Sequence, residues 1–271
     1  MTRAFVAALG VPLMLAAGVG SGHAENGPTI VVTTSMLEEA VRDLGEVAAR
    51  VDVVRLIPPG SCPGHFDLSP RAVPSLRSAD AIVRHQYQGY LEEQIVDLGV
   101  EDLTVIVADT EGSLLVPLNY AGLVRRMAEI LAGLLPGQRE ELVAAADDVS
   151  HRLAELADEI GDRPAPWRRA PVIASFQQAG FSRWLGLDVV AEIGRPEDLT
   201  PRELERLMQV RPALVVGNLQ EGLQSAATLA ERMAVPLAVF SNFPGAAGYG
   251  DGYDELLRSN LERLDEAWLS R

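Results

Sequence analysis

The chain has 271 residues, 48% hydrophobic and 23% charged, a globular composition with room for two domains of ordinary size. Its formal charge is −15, and all 23 basic residues are arginine. An acidic surface of this kind argues against nucleic acid and anionic membrane as partners.

Arg3, the apolar run 4–19 and the small residues of Gly22-His23-Ala24 read as a signal peptide over 1–24. The run is too short, and too rich in glycine and proline, to anchor the chain in a bilayer. The mature protein is therefore expected to be soluble and periplasmic. Its single cysteine, Cys62, permits no internal disulfide.

Residues 29–34 are β-branched and apolar, a buried strand, and Ser35-Met-Leu-Glu38 has the capping-box pattern that opens a helix to about Gly45. A strand over 51–57 leads into Pro58-Pro-Gly-Ser-Cys-Pro-Gly-His-Phe-Asp-Leu-Ser-Pro70. The prolines and glycines forbid regular structure there and set a stiff, bent loop. It ends in Ser69-Pro70, a capping residue followed by proline at the first helical position. A short helix to Ser78, a strand over 79–84 running into His85, a helix over 91–98 and a strand over 104–108 follow. Strands alternating with helices at this spacing give βα units and a parallel sheet.

The pattern then changes. A helix over 119–135 puts Leu123, Met127, Ile130 and Leu134 on one face, and Pro136-Gly137 breaks it. A longer helix over 138–160 carries Leu142, Ala146, Val149, Leu153, Leu156 and Ile160 at alternating four-three spacing, one continuous apolar stripe. A second βα series follows. It has strands at 172–175, 187–191, 214–216 and 237–240, and helices at 181–185, 200–210 (capped by Thr200-Pro-Arg-Glu203), 222–233 and 251–269. The predicted architecture is α/β: two parallel-sheet lobes, 25–135 and 167–271, joined by a long rigid backbone helix within 136–166.

From leader to closing helix, this order resembles the periplasmic zinc/manganese solute-binding proteins of ABC importers. The resemblance rests on Ile30-Val-Val-Thr-Thr-Ser-Met36, the loop Ile57-Pro-Pro-Gly60 through His65-Phe-Asp-Leu-Ser-Pro70, Gly180-Phe-Ser-Arg-Trp-Leu-Gly-Leu-Asp-Val-Val190, Ser241-Asn-Phe-Pro-Gly245 and the final helix from Tyr253. It implies a monomeric binding protein, not an enzyme. Such a protein captures a divalent transition metal, zinc or manganese, between its lobes and delivers it to a membrane permease. The family holds its metal with three histidines and a carboxylate. His65 matches the first ligand, but Leu114-Leu-Val-Pro-Leu-Asn119 and Ser175-Phe-Gln-Gln178 lack the next two histidines, and Asn242 stands at the carboxylate position.

The residues themselves suggest a candidate set. Cys62 and His65 lie three positions apart in the stiff loop, and His85 stands at a strand's C-terminal end, the edge where such sheets hold ligands. Together they would make a half-site of one sulfur and two nitrogens, to which Asp67 would add an oxygen if it is not a turn residue. The plainer alternatives are a packed turn thiol and a strand-capping imidazole. His151 falls off the apolar stripe and is read as a solvated helix residue. The second lobe offers Gln177, Gln178, Asn218 and Asn242 at strand ends. Amides are poor zinc ligands but good hydrogen-bond partners. Either the first lobe holds the metal and the second closes over it, or the ligand is a metal complex or polar small molecule. Two rival classes stay open. An exported enzyme would use Cys62 as nucleophile and a histidine as base, although no Gly-x-Ser-x-Gly elbow is present. An adhesin on the same fold is the other.

Overall fold

A computed structural model describes residues 27–108, 110–195 and 199–271; the leader expected over 1–24 lies outside the described residues. The first sheet is built on β1 (Thr29–Val32), flanked in parallel by β2 (Asp52–Arg55) and β3 (Ala81–Arg84). With β4 (Val105–Val107) beyond β3, its order is β2-β1-β3-β4. The second sheet repeats that order as β6-β5-β7-β8, from β5 (Pro171–Ser175), β6 (Asp188–Ile193), β7 (Leu214–Asn218) and β8 (Leu237–Phe240). Every pairing is parallel. In each sheet the chain reverses its direction of travel between the two central strands. The strand ends therefore part there and open a crevice at their carboxyl edge.

The helices follow the apolar periodicity, with local shifts. Helix α1 (Ser35–Arg42) is capped by Thr34, whose hydroxyl accepts from Leu37 N, and not by Ser35 as the capping-box pattern suggests. Ser35 instead donates to Pro244 O in the opposite lobe at 2.7 Å. The stiff loop ends in a 3-10 turn, Pro70–Ala72, before α2 (Val73–Ser78), and Ser69 makes no capping bond. Helix α3 (Leu91–Asp97) closes the next unit. Helix α4 (Pro117–Leu134) and α5 (Arg139–Asp162) then run as a long pair. The buried residues of α5 are Leu142, Ala146, Val149, Leu153, Leu156 and Ile160, the stripe read from sequence. His151 is exposed, as its place off that stripe requires.

In the second half, α6 (Phe176–Trp184) starts directly at the end of β5, so Gln177 and Gln178 sit in a helical first turn and not in a loop. Thr200 caps α7 (Pro201–Leu207) by accepting from Glu203 N at 3.2 Å, and α8 (Gln224–Met233) and α9 (Tyr253–Leu269) complete the lobe. Among the described residues no helix is long and apolar enough to cross a membrane.

One hydrophobic core runs through both lobes. It joins Ile30, Val32 and Met36 of the first to Val172, Val216 and Phe240 of the second through the inner faces of α4, α5 and α9. The outer faces of the sheets carry smaller separate clusters. A polar brace crosses the same junction. Arg152 on α5 pairs with Asp43 at 2.8 Å and with Asp254 of α9. Tyr120 of α4 donates to Asp43 Oδ2 at 2.8 Å while its ring stacks on Tyr253, with centroids 3.7 Å apart and planes 5° from parallel. Burial raises the Asp43 carboxyl above its ordinary range, and the Arg152 guanidinium pulls it part of the way back.

Candidate functional site

The crevices of the two sheets face each other and enclose a cavity of about 360 Å³. Its first wall comes from the stiff loop (Cys62, Pro63, Gly64), from His85 to Tyr87 beyond β3, and from 112–115. The opposite wall comes from Gln177 on α6, from Asn218, Gln220 and Glu221 at the end of β7, and from Asn242 and Phe243 beyond β8. Ligand pockets of small molecules begin at about this size.

The loop is held where its prolines aim it. Tyr90 OH donates to Pro63 O at 2.8 Å, and Gln94 Oε1 accepts from Leu68 N at 2.7 Å. Gln88 Nε2 reaches the same Pro63 carbonyl, while its Oε1 accepts from Thr33 Oγ1 and from His85 N. His85 is thereby fixed against the end of β1, with Nε2 2.9 Å from Thr34 Oγ1 and its ring stacked on Tyr87 at 5.3 Å. Burial lowers its pKa from 6.5 to about 4, so the ring is neutral at physiological pH. With Nε2 engaged by Thr34, coordination through Nδ1 requires the tautomer in which Nε2 carries the proton.

Of the sequence candidates on the first lobe, Cys62 and His85 line the cavity and His65 does not. His65 is exposed, and its Nε2 lies 2.5 Å from Arg195 Nη1 of the second lobe. Arg195 also passes close to Gly64, where a Cβ would stand 2.8 Å from its Nη2. Asp67 is exposed, at 3.5 Å from Gln94 Nε2. No group of three or more His, Cys, Asp or Glu side chains arranged to hold a metal occurs among the described residues.

On the second lobe, Asn218 is fully buried, and its Oδ1 accepts from Glu221 N at 2.9 Å. Gln178 is also fully buried but turned away from the cavity lining, donating to Asn242 Oδ1 at 2.9 Å. Gln177 is exposed at the cavity's edge. Gln220, which sequence reasoning passed over, crosses the cleft: its Nε2 donates to Pro59 O at 2.9 Å and to Ser241 Oγ at 2.8 Å, and its Oε1 accepts from Asn242 N. Glu221 was missed as well, and it lies 3.9 Å from Arg195 Nε. Both lie in the turn just beyond the end of β7, a placement that could have found them. Arg195 carried no such signal.

A family model described as "Zinc-uptake complex component A periplasmic" (ZnuA) matches residues 30–267, nearly all of the described chain. The protein belongs to the ZnuA family. Its members are periplasmic components of metal uptake, and the two-lobed α/β fold described above is theirs. Solved structures of the same fold include a ZnuA (18% identity, TM-score 0.71, covering 89% of this chain and 99% of that one). A second is FpvC of Pseudomonas aeruginosa in complex with Mn2+ (19% identity, TM-score 0.73, 90% and 99%). A third is the laminin-binding protein of Streptococcus agalactiae, described as bifunctional with adhesin and metal-transporting activity (20% identity, TM-score 0.71, 89% and 100%). No match was found among curated proteins. The cavity opens where the ZnuA fold brings its two crevices together, but its described walls are made mostly of amides, hydroxyls and backbone.

Proposed function

We propose that this ZnuA-family protein is a solute-binding protein that captures a transition metal of the zinc/manganese class in the inter-lobe cavity and delivers it to the membrane permease of an ABC importer. The observation that carries the reading is the position of that cavity, at the carboxyl crevices of both sheets within a family match spanning both lobes. The relatives solved with Mn2+ and named for zinc uptake support the metal class. Cys62 and His85 would supply a sulfur and a nitrogen from the first wall, and His65 would contribute only by turning from Arg195.

The reading includes a periplasmic, monomeric protein made as a precursor with its leader at 1–24, lobes at 25–135 and 167–271, and a linking segment at 136–166. It excludes enzymatic use of Cys62, which lies in a proline-flanked loop away from any helix start. Nothing in the structure favours adhesion over transport.

Calorimetric titration of chelator-stripped protein tests the proposal. Zinc or manganese should bind at one site per chain, and Cys62→Ala and His85→Ala should each weaken binding at least tenfold. Thiol labelling of Cys62 should slow in the loaded protein. No binding of either metal, in any form, would refute the reading.

A further inference from the structure

Asn218 is the side chain in the cavity wall whose chemistry is least compatible with a bare ion. It is fully buried, and its orientation is decided by a backbone N–H: Glu221 N donates to Oδ1, which identifies the other end of the amide as Nδ2. That nitrogen is buried and has no hydrogen-bond partner among the described residues. A buried amide N–H2 left unpaired costs about 1–3 kcal/mol, and the cost is recovered only by an acceptor. An amide nitrogen has no lone pair to give a cation, so it calls for an acceptor, which an ordered water supplies in the empty cavity and an oxygen of the cargo supplies in the loaded one.

Charge points the same way. Among the described lining residues the sole carboxylate is Glu221, and Arg195 already faces it at 3.9 Å. A bare dication there would meet only the Cys62 thiolate and a carboxylate already paired with an arginine. His85 is held neutral, with one nitrogen engaged by Thr34. The cavity, at about 360 Å³, is sized for a small organic molecule. Asn242 adds a second amide to the same wall, its Oδ1 accepting from Gln178 Nε2.

We infer that the cargo enters as a complex in which a small organic ligand surrounds the metal with its own oxygen donors, and that Asn218 Nδ2 reads one of those oxygens. Cys62 and His85 face the metal side of the complex, and the second lobe faces its organic shell. This inference rests on the importer reading and narrows it from an ion to a chelate.

The test is calorimetric titration of stripped full-length protein with free zinc and with zinc citrate, in wild type and Asn218→Asp. The aspartate keeps the acceptor for Glu221 N, so the local fold is preserved, and replaces the N–H2 donor with an oxygen. Wild type should bind zinc citrate at least tenfold more tightly than free zinc, and Asn218→Asp should reverse that order. Free zinc bound as tightly as zinc citrate, with Asn218→Asp leaving the ratio unchanged, would overturn the inference while the importer reading stands. Binding of citrate alone, with zinc adding nothing, would overturn it and remove the metal from the importer reading. Retention of neither zinc nor manganese in either form would sink both.

Discussion

His85 ties the first wall of the cavity to the pH of its surroundings. Burial holds its folded-state pKa near 4 against 6.5 when solvated, so between those values the unfolded chain binds a proton that the folded chain refuses. Stability from this group is complete above pH 6.5 and is lost as pH falls towards 4, at about 1.4 kcal/mol per pH unit and on the order of 3 kcal/mol in all. In metal-free protein, His85→Gln should flatten that part of the stability curve, as read by urea unfolding at a series of pH values. An unchanged slope would place the acid sensitivity elsewhere. The residue scale is also where sequence reading falls short. The family likeness matched His65 to a ligand position and the loop composition placed Cys62, yet only the folded loop tells which side chain enters the cavity. The His65 ring meets Arg195, a residue 130 positions away, and no local pattern encodes that.

Elements were legible where periodicity is strong. The α5 stripe was readable in full because a helix packed on one side must repeat its apolar residues at three and four. The start of α6 was not, since Phe176, Gln177 and Gln178 carry no apolar periodicity and Ser175 before them makes no side-chain capping bond. What the stripe leaves out is the polar side of α5, where Arg152 joins Asp43 of the first lobe to Asp254 of the second. Arg152→Ala strands a largely buried carboxylate and should cost about 1–2 kcal/mol, or a few degrees in Tm, the cost being held down because Arg152 itself is partly exposed and screened. Adding Asp43→Asn should recover part of that loss by removing the stranded charge. No recovery would mean that Arg152 acts through packing alone.

At the scale of the whole molecule, the two sheets hang from one continuous core that passes through α4, α5 and α9. Closure of such a body around its cargo should be small compared with hinge-type receptors, because a packed helix pair resists bending. Small-angle scattering of stripped and loaded protein should give nearly superimposable curves, and a large decrease in radius of gyration on loading would contradict the brace. Fold class and lobe order were open to sequence reading because βα alternation is written along the whole chain. The cavity was only half open to it, because its walls are assembled from strand ends far apart in sequence. The Gln220 crossing bears on time as well as shape. Its Nε2 holds Pro59 O of one lobe and Ser241 Oγ of the other at once. With the lobes braced, exchange falls to loops and their few hydrogen bonds, motions of nanoseconds to microseconds instead of the microseconds to milliseconds of swinging domains. Residence of the cargo is then governed by how firmly its own atoms are held, and the protein that waits for a permease is one whose clock is set inside the cavity rather than by the opening of a door.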